Sequence, residues 1–302
     1  MAASTRLSRL IRYLSGSGEV NYQYVDDQFG GFLQRFVCYG SSVKMGIAKR
    51  SERAASKVGK KPRLLPGLAV GDGFTRHPFD MENGVRTSGL ITGRHLKSGH
   101  RHDQHVTAYY GVAPSVFHAL VHRWRRSGLA APMEEFTFVD MGAGMGRAVL
   151  MSAEMSFREV VGVELNPTLA RIASRNLTAW RAAGRARTPM RIVRGDAAEF
   201  NLPEGPCLVF LFNPFGAPVM RRLLARIAES FAGRPGQLDL LYVNHEQVSV
   251  LEGWTGFVRL YLGQVPRSRA DAIADHAILA NQPDGEYASA NYEDCSIWRW
   301  VG

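Results

Sequence analysis

Residues Phe136 to Leu150 read FTFVDMGAGMGRAVL: an apolar run, an acid, three glycines at alternate positions, an arginine, and apolar residues again. That order is a strand, a tight turn and the start of a helix. In a doubly wound sheet the first such turn lies beside the point where the strand order reverses and a ligand crevice opens. Glycines there let a ligand approach the backbone. The spacing Asp140-x-Gly142-x-Gly144-x-Gly146 differs from the GxGxxG of dinucleotide folds, where the glycines surround a pyrophosphate. An acid two residues ahead of the first glycine sits poorly beside a pyrophosphate and well beside an ammonium. The turn therefore predicts a ligand with a cationic group.

Outward from this stretch, apolar strands and amphipathic helices alternate from about residue 105. The pattern predicts helices over Val112–Arg125, Gly146–Met155 and Val219–Ala232, and one from a capping Asn166 and Pro167 to about Ala183. Strands are expected at Phe136–Asp140, Glu159–Glu164, Met190–Arg194, Cys207–Phe212 and Leu238–Asn244. Strands separated by helices of this length imply parallel βαβ units with helices on both faces and ligands at the carboxyl strand ends. Phe257–Val265 and Cys295–Val301 read as a C-terminal edge hairpin joined by a long irregular segment. The expected fold is α/β, a doubly wound, mostly parallel seven-strand sheet with an antiparallel C-terminal edge strand.

Two more acids close strands. Glu164 lies 24 residues after Asp140, near the spacing at which a carboxylate takes ribose hydroxyls. Asp196, in RGDAAEF, sits where its carboxylate or the N–H of Ala197 reads an adenine edge. An ammonium, a ribose and an adenine in one crevice describe S-adenosylmethionine. A dinucleotide, or strand-end acids with a purely structural part, are the alternatives.

FTFVDMGAGMGRAVL, VVGVELNPTLARIASRN and IVRGDAAEF resemble motifs I, II and III of the class I, seven-strand S-adenosylmethionine-dependent methyltransferases, over roughly Phe136 to Trp300. AYYGVAPSVF, the DMGAGMGR turn and the GVELNP strand end are similar to the non-SET protein-lysine methyltransferases and to a related bacterial group with NPFG after strand four. The resemblance implies that Asp140, Gly142, Gly144 and Gly146 hold the methionine part, Glu164 the ribose and Asp196 the adenine. It also implies that Tyr110 helps cover the cofactor. Asn213-Pro214-Phe215, in LFNPFGAPVM, resembles the [DN]PP[YF] element with which amino methyltransferases grip a target nitrogen, although the second proline is absent. A turn leading into the next helix is the plainer reading of those residues.

The favoured acceptor on this similarity is a protein lysine, with nucleic acid or a small molecule as alternatives and a catalytically silent cofactor-binding scaffold as a rival of another class. A lysine must lose its proton before attacking, which costs about 4 kcal/mol near neutral pH. His245 and Glu246, after strand five, are the nearest candidate bases. His100, His102 and His105, with Asp103, have spacings that could converge on a metal, but methyl transfer to nitrogen needs none and no metal ligand is assigned.

The 302 residues are 45% hydrophobic, enough for a substantial core. No apolar run approaches the roughly 18 residues of a membrane-spanning helix, and no secretory signal is evident, so a cytoplasmic protein is expected. Cys38, Cys207 and Cys295 stand apart and read as free thiols. Residues 1–75 carry twelve Lys/Arg against five acids, most of the chain's net +10. They form a basic N-terminal extension that attracts polyanions, nucleic acid among them. Within it Leu7, Leu10, Ile11 and Leu14 mark one face of a short basic amphipathic helix. Residues 76–128 are a lead-in covering the cofactor site, and residues 129–302 the cofactor-binding domain.

Overall fold

A computed structural model describes residues 75–280 and 290–302. The basic extension, its amphipathic helix and Cys38 lie outside the described residues. The apolar runs form seven strands: β1 (Thr137–Met141), β2 (Glu159–Glu164), β3 (Met190–Arg194), β4 (Cys207–Phe212), β5 (Leu238–Val243), β6 (Phe257–Pro266) and β7 (Tyr292–Trp300). They make one sheet in the order β3-β2-β1-β4-β5-β7-β6. The order reverses between β1 and β4, beside the glycine turn. β1 to β5 pair in parallel, while β7 is antiparallel to both β5 and β6. The C-terminal antiparallel pairing is present, with β7 one place inside the edge and β6 closing it.

Seven helices accompany the sheet: α1 (Pro78–Asn83), α2 (Pro114–Arg125), α3 (Arg147–Ser152), α4 (Pro167–Ala182), α5 (Ala217–Phe231), α6 (Val248–Glu252) and α7 (Arg269–Ala280). Asn166 caps α4 as its sequence suggests, accepting from the N–H groups of Thr168 and Leu169 at 2.9 and 3.2 Å. α7 corrects the expectation of an irregular connection before β7. Its inward stripe is Asp271, Ala274, Asp275 and Ile278, at helical spacing but half acidic.

β1 and β5 are buried along their whole length, as strands covered on both faces must be. Alternation along β1 sends Phe138 to one face, among Phe117, Trp124, Phe157 and Phe210, and Val139 and Met141 to the other, among Val219, Leu223, Ile227 and Phe231 of α5. Each such side chain, removed from water, contributes on the order of 1.5–3 kcal/mol. Cys207 and Cys295 are buried free thiols. Among the described residues no helix is long and apolar enough to cross a membrane.

The lead-in is ordered by buried polar groups. Asp80 of α1 accepts from Thr87 N and Ser88 N at 2.6 and 2.7 Å and from both of their hydroxyls. Arg147, buried at the start of α3, donates from Nε to Thr87 Oγ1 at 2.7 Å and from Nη1 to the carbonyls of Gly111 and Val112. The chain then runs as a strap over the carboxyl end of the sheet. Ile91 and Tyr109 exchange backbone hydrogen bonds, and Val106 bridges Phe215 just beyond β4.

Candidate cofactor site

Beneath that strap is a cleft with about 870 Å³ of empty space, open solvent at its mouth included. Asp140, Gly142, Gly144, Glu164, Asp196 and Ala197 all line it. Gly146 does not. Its φ of +87° starts α3, and a Cβ there would meet Ala173 of α4 at 3.3 Å, so this glycine serves helix packing and leaves the ligand turn to the other two.

Gly142 and Gly144 have φ of +88° and +56°, the left-handed region that favours glycine. Their bareness serves the protein itself. A Cβ on Gly142 would lie 2.4 Å from Pro214 Cβ, and one on Gly144 2.2 Å from the Tyr109 ring. The turn is therefore clamped between the loop after β4 and the strap. Tyr109 donates its hydroxyl to the Thr87 carbonyl at 2.7 Å. Tyr110 lines the cleft, its hydroxyl donating to Asp275 of α7 at 2.6 Å. Burial, followed by the charge of Asp275, pushes the Tyr110 phenol far above its usual range.

The three acids differ in what the protein gives them. Glu164 is held on both oxygens, accepting from Gly144 N and Asn166 N at 2.7 Å each. Burial pushes its pKa up to about 7, against the pull of those backbone donors. Asp196 accepts from Ala198 N on Oδ1 at 2.9 Å, and its Oδ2 lies 2.7 Å from His102 Nδ1. Asp140 has no hydrogen-bond partner among the described residues although it is only 4% exposed; burial, and then the charge of Glu164, pushes it up to about 8. An acid this buried and this unsupported keeps its proton near neutral pH unless a cation joins it.

Beyond β4 the expected tetrad divides. Pro214 and Phe215 line the cleft, whereas Asn213 does not. Asn213 adopts φ +38°, and its Oδ1 accepts from the Tyr242 hydroxyl at 3.5 Å. Its carbonyl accepts from Thr107 Oγ1, and Thr107 N donates to the Pro214 carbonyl at 3.5 Å. Of the acceptors that would grip a nitrogen, the side-chain oxygen is thus engaged by Tyr242 of β5 and the backbone carbonyls by Thr107 of the strap. His245 and Glu246 stand after β5, outside the lining of the cleft; burial lowers the His245 pKa.

Sequence reasoning missed Arg147, Tyr109, Thr107 and Asp80. Arg147 stood unassigned inside the opening motif, while Asp80 of α1 and Thr87 belong to the stretch FDMENGVRTSGL, whose spacing suggested no chemistry.

No family model and no curated protein matches the chain. Solved structures resemble it at low identity. The YcgJ protein of Bacillus subtilis is 14% identical over 61% of this chain and 98% of that one, with a TM-score of 0.39. An rRNA methylase of Streptococcus thermophilus is 14% identical over 56% and 89%, at 0.35. The human methyltransferase 10 domain containing protein is 10% identical over 73% and 91%, at 0.40. Likenesses at these values speak to neither activity nor substrate.

Proposed function

We propose that the chain is an S-adenosylmethionine-dependent methyltransferase that acts on an acceptor already neutral at physiological pH, such as a nucleobase or a weakly basic aromatic amine. The observation that carries the donor is the buried Asp140 carboxyl, which faces the cleft with no protein partner of its own. In this reading Asp140 takes the donor's ammonium. Glu164, with a second lone pair left on each oxygen, accepts from the ribose hydroxyls. The Ala197 N–H and Asp196 meet the adenine edge, and Tyr110 covers the amino-acid end. When bound, the donor supplies an electrophilic methyl group on a sulfonium.

The acceptor side of the cleft supports a neutral nucleophile. Phe212, Pro214, Phe215 and Val219 line it, and neither His245 nor Glu246 does. A lysine there would meet the roughly 4 kcal/mol deprotonation cost with desolvation alone. Phe215 offers a face on which a planar acceptor can stack. Asn213, turned toward Tyr242, shapes the loop that carries Pro214 and Phe215, and the strap excludes water above it.

Calorimetry with S-adenosylhomocysteine, run beside NAD, tests the donor. Uptake of the former alone is expected, and uptake of NAD alone would end the reading. Incubation with methyl-labelled donor and a cell extract, followed by separate protease and nuclease digestion, tests the acceptor. Label that resists protease supports a nucleobase or small molecule. Label released by protease returns the acceptor to a protein lysine, and no label at all leaves a cofactor-binding scaffold.

A further inference from the structure

The strap carries a cluster that donor binding does not explain. Between Ser98 and His105 the chain makes a tight turn around Asp103, whose carboxylate accepts from Ser98 N, Gly99 N and His100 N at 2.7, 2.7 and 3.0 Å and from Ser98 Oγ at 3.0 Å. Four bonds to one acid fix the turn, and the turn aims two imidazoles at the end of β3. His100 Nδ1 accepts from His102 N at 3.2 Å, which leaves its Nε2 outward, 3.9 Å from Asp196 Oδ2. His102 Nδ1 is 2.7 Å from the same oxygen.

His102 and Asp196 are 7% and 8% exposed, and His102 Nδ1 and Asp196 Oδ2 both lack a hydrogen-bond partner despite their closeness. The two atoms converge without the alignment of a hydrogen bond. Buried polar atoms left so cost about 1–3 kcal/mol each, so the convergence calls for a third party between them. The atoms available are two imidazole nitrogens and a carboxylate oxygen, all within 4.8 Å of one another.

We propose that His100 Nε2, His102 Nδ1 and Asp196 Oδ2 form a binding site for a divalent transition ion of the zinc type. Ligand atoms about 2.0–2.1 Å from a tetrahedral ion stand about 3.4 Å apart. The 2.7 and 3.9 Å separations straddle that value. Two imidazoles and one carboxylate suit zinc and its neighbours and discriminate against calcium and magnesium, which favour oxygen ligands. Since His102 and Asp196 line the cleft, the fourth position opens toward it. The ion fastens the strap to the end of β3 at the adenine end of the cleft, with Asp103 holding the turn from behind. One neighbour opposes it: Arg222 Nη1 lies 3.2 Å from His102 Nε2. Arg222 is exposed on α5, and with an ion on Nδ1 its guanidinium swings into solvent. The competing account is a plain Arg222–His102–Asp196 chain with no ion.

Chelator-stripped full-length protein titrated with Zn²⁺ by calorimetry, and with Co²⁺ by its visible ligand-field bands, separates the two. Wild-type protein should take one ion at this site, and His102→Ala should weaken uptake by roughly 100-fold or more. His100, partly exposed, can be changed to Ala without threatening the fold, and that variant should lose affinity in the same direction. Asp103→Asn should cost about 10-fold. Arg222→Ala should leave binding equal or tighter, since it removes a positive charge. Equal affinity in wild type, His100→Ala and His102→Ala overturns the site, as does a wild type with no ligand-field bands. Neither result touches the donor reading, which the S-adenosylhomocysteine titration judges on its own.

Discussion

The carboxyl ends of β1 and β2 and those of β4 and β5 lie side by side in one sheet, yet they are finished in opposite ways. At the first pair the glycine turn leaves Asp140 buried with no partner. At the second, Asn213 and Asn244 follow strands in direct register, Phe212 opposite Val243, and both adopt left-handed backbone, φ +38° and +47°. There Asn213 is engaged by the protein itself: its N donates to the Val243 carbonyl at 3.1 Å, its carbonyl accepts from Thr107 and its Oδ1 from Tyr242. A buried carboxyl without a protein partner marks, on the proposed reading, where a ligand supplies one. A strained turn whose oxygens the protein itself engages marks where an apolar wall has been shaped. On the proposed reading, one half of the cleft recognises by charge, the other by form.

The largest expected effect comes from breaking the first half. Asp140→Ala should lower affinity for S-adenosylhomocysteine by at least about 100-fold, or about 2.7 kcal/mol, because the ligand ammonium loses its charged partner. The apo-protein should melt at the same temperature or higher, since an unsupported buried carboxyl disappears. Asn213→Ala should do the reverse. Affinity should hold, while stability falls by about 1–2 kcal/mol, because alanine tolerates the left-handed backbone less well. Calorimetry and thermal melts on both variants read this exchange. Loss of affinity in both, or in neither, would erase the distinction between the halves.

The same contrast has a pH signature. Asp140 and Glu164 titrate in the folded protein near 8 and 7, above the usual carboxylate range, mainly because burial disfavours their charged forms. As pH rises through about 4, the unfolded chain releases protons that the folded state keeps. The stability these groups contribute is therefore complete at acid pH and declines until about pH 8. Melts of the apo-protein across that window should show the decline, and Asp140→Asn should flatten it. A bound ammonium pulls Asp140 back toward its ordinary range, so binding should expel a proton near neutrality. Titrations in buffers of different ionisation enthalpy measure that proton directly, and a buffer-independent heat would refute the pairing.

How far the sequence could be read follows from where the pattern was apolar. β2, β3 and β4 have the bounds expected from the sequence; β2 and β4 are buried parallel strands, whose hydrophobic runs leave few alternatives. α7 was invisible for the opposite reason. Asp271 and Asp275 occupy half of its inward stripe, one held by Ser115 N at 2.8 Å and facing His77, the other taking the Tyr110 hydroxyl. Hydrophobic periodicity cannot report a helix whose buried face is built of satisfied acids. The same limit hid Asp80, whose partners lie in its own loop while its effect reaches Arg147 through Thr87. Among the residues that line the cleft, the three acids and two of the three glycines of the turn were singled out in the sequence, because a turn at a strand end constrains residue type strongly. Gly146 was singled out with them without lining the cleft, since glycine needed against Ala173 looks the same in sequence as glycine needed by a ligand. His100 and His102 were visible as a pair. Asp196 could not be joined to them, being brought close only by the strap lying over the sheet.

The smallest effect tests the second half by itself. Tyr242 is fully buried at the end of β5, and its hydroxyl accepts from Gln247 N at 3.2 Å while donating to Asn213 Oδ1 at 3.5 Å. Tyr242→Phe keeps the ring and its packing but leaves that N–H and that amide oxygen unpaired. The loss should be about 1 kcal/mol, a fall in melting temperature of a few degrees for a chain of this size. Affinity for S-adenosylhomocysteine should be unchanged. Burial raises the Tyr242 phenol well above its ordinary value, so it stays neutral across the working pH range, and the loss should be the same at pH 5 and pH 8. A loss that grew with pH would mean that the β4–β5 end also answers to charge, and the division of the cleft into a charge-reading half and a shape-reading half would have to be abandoned.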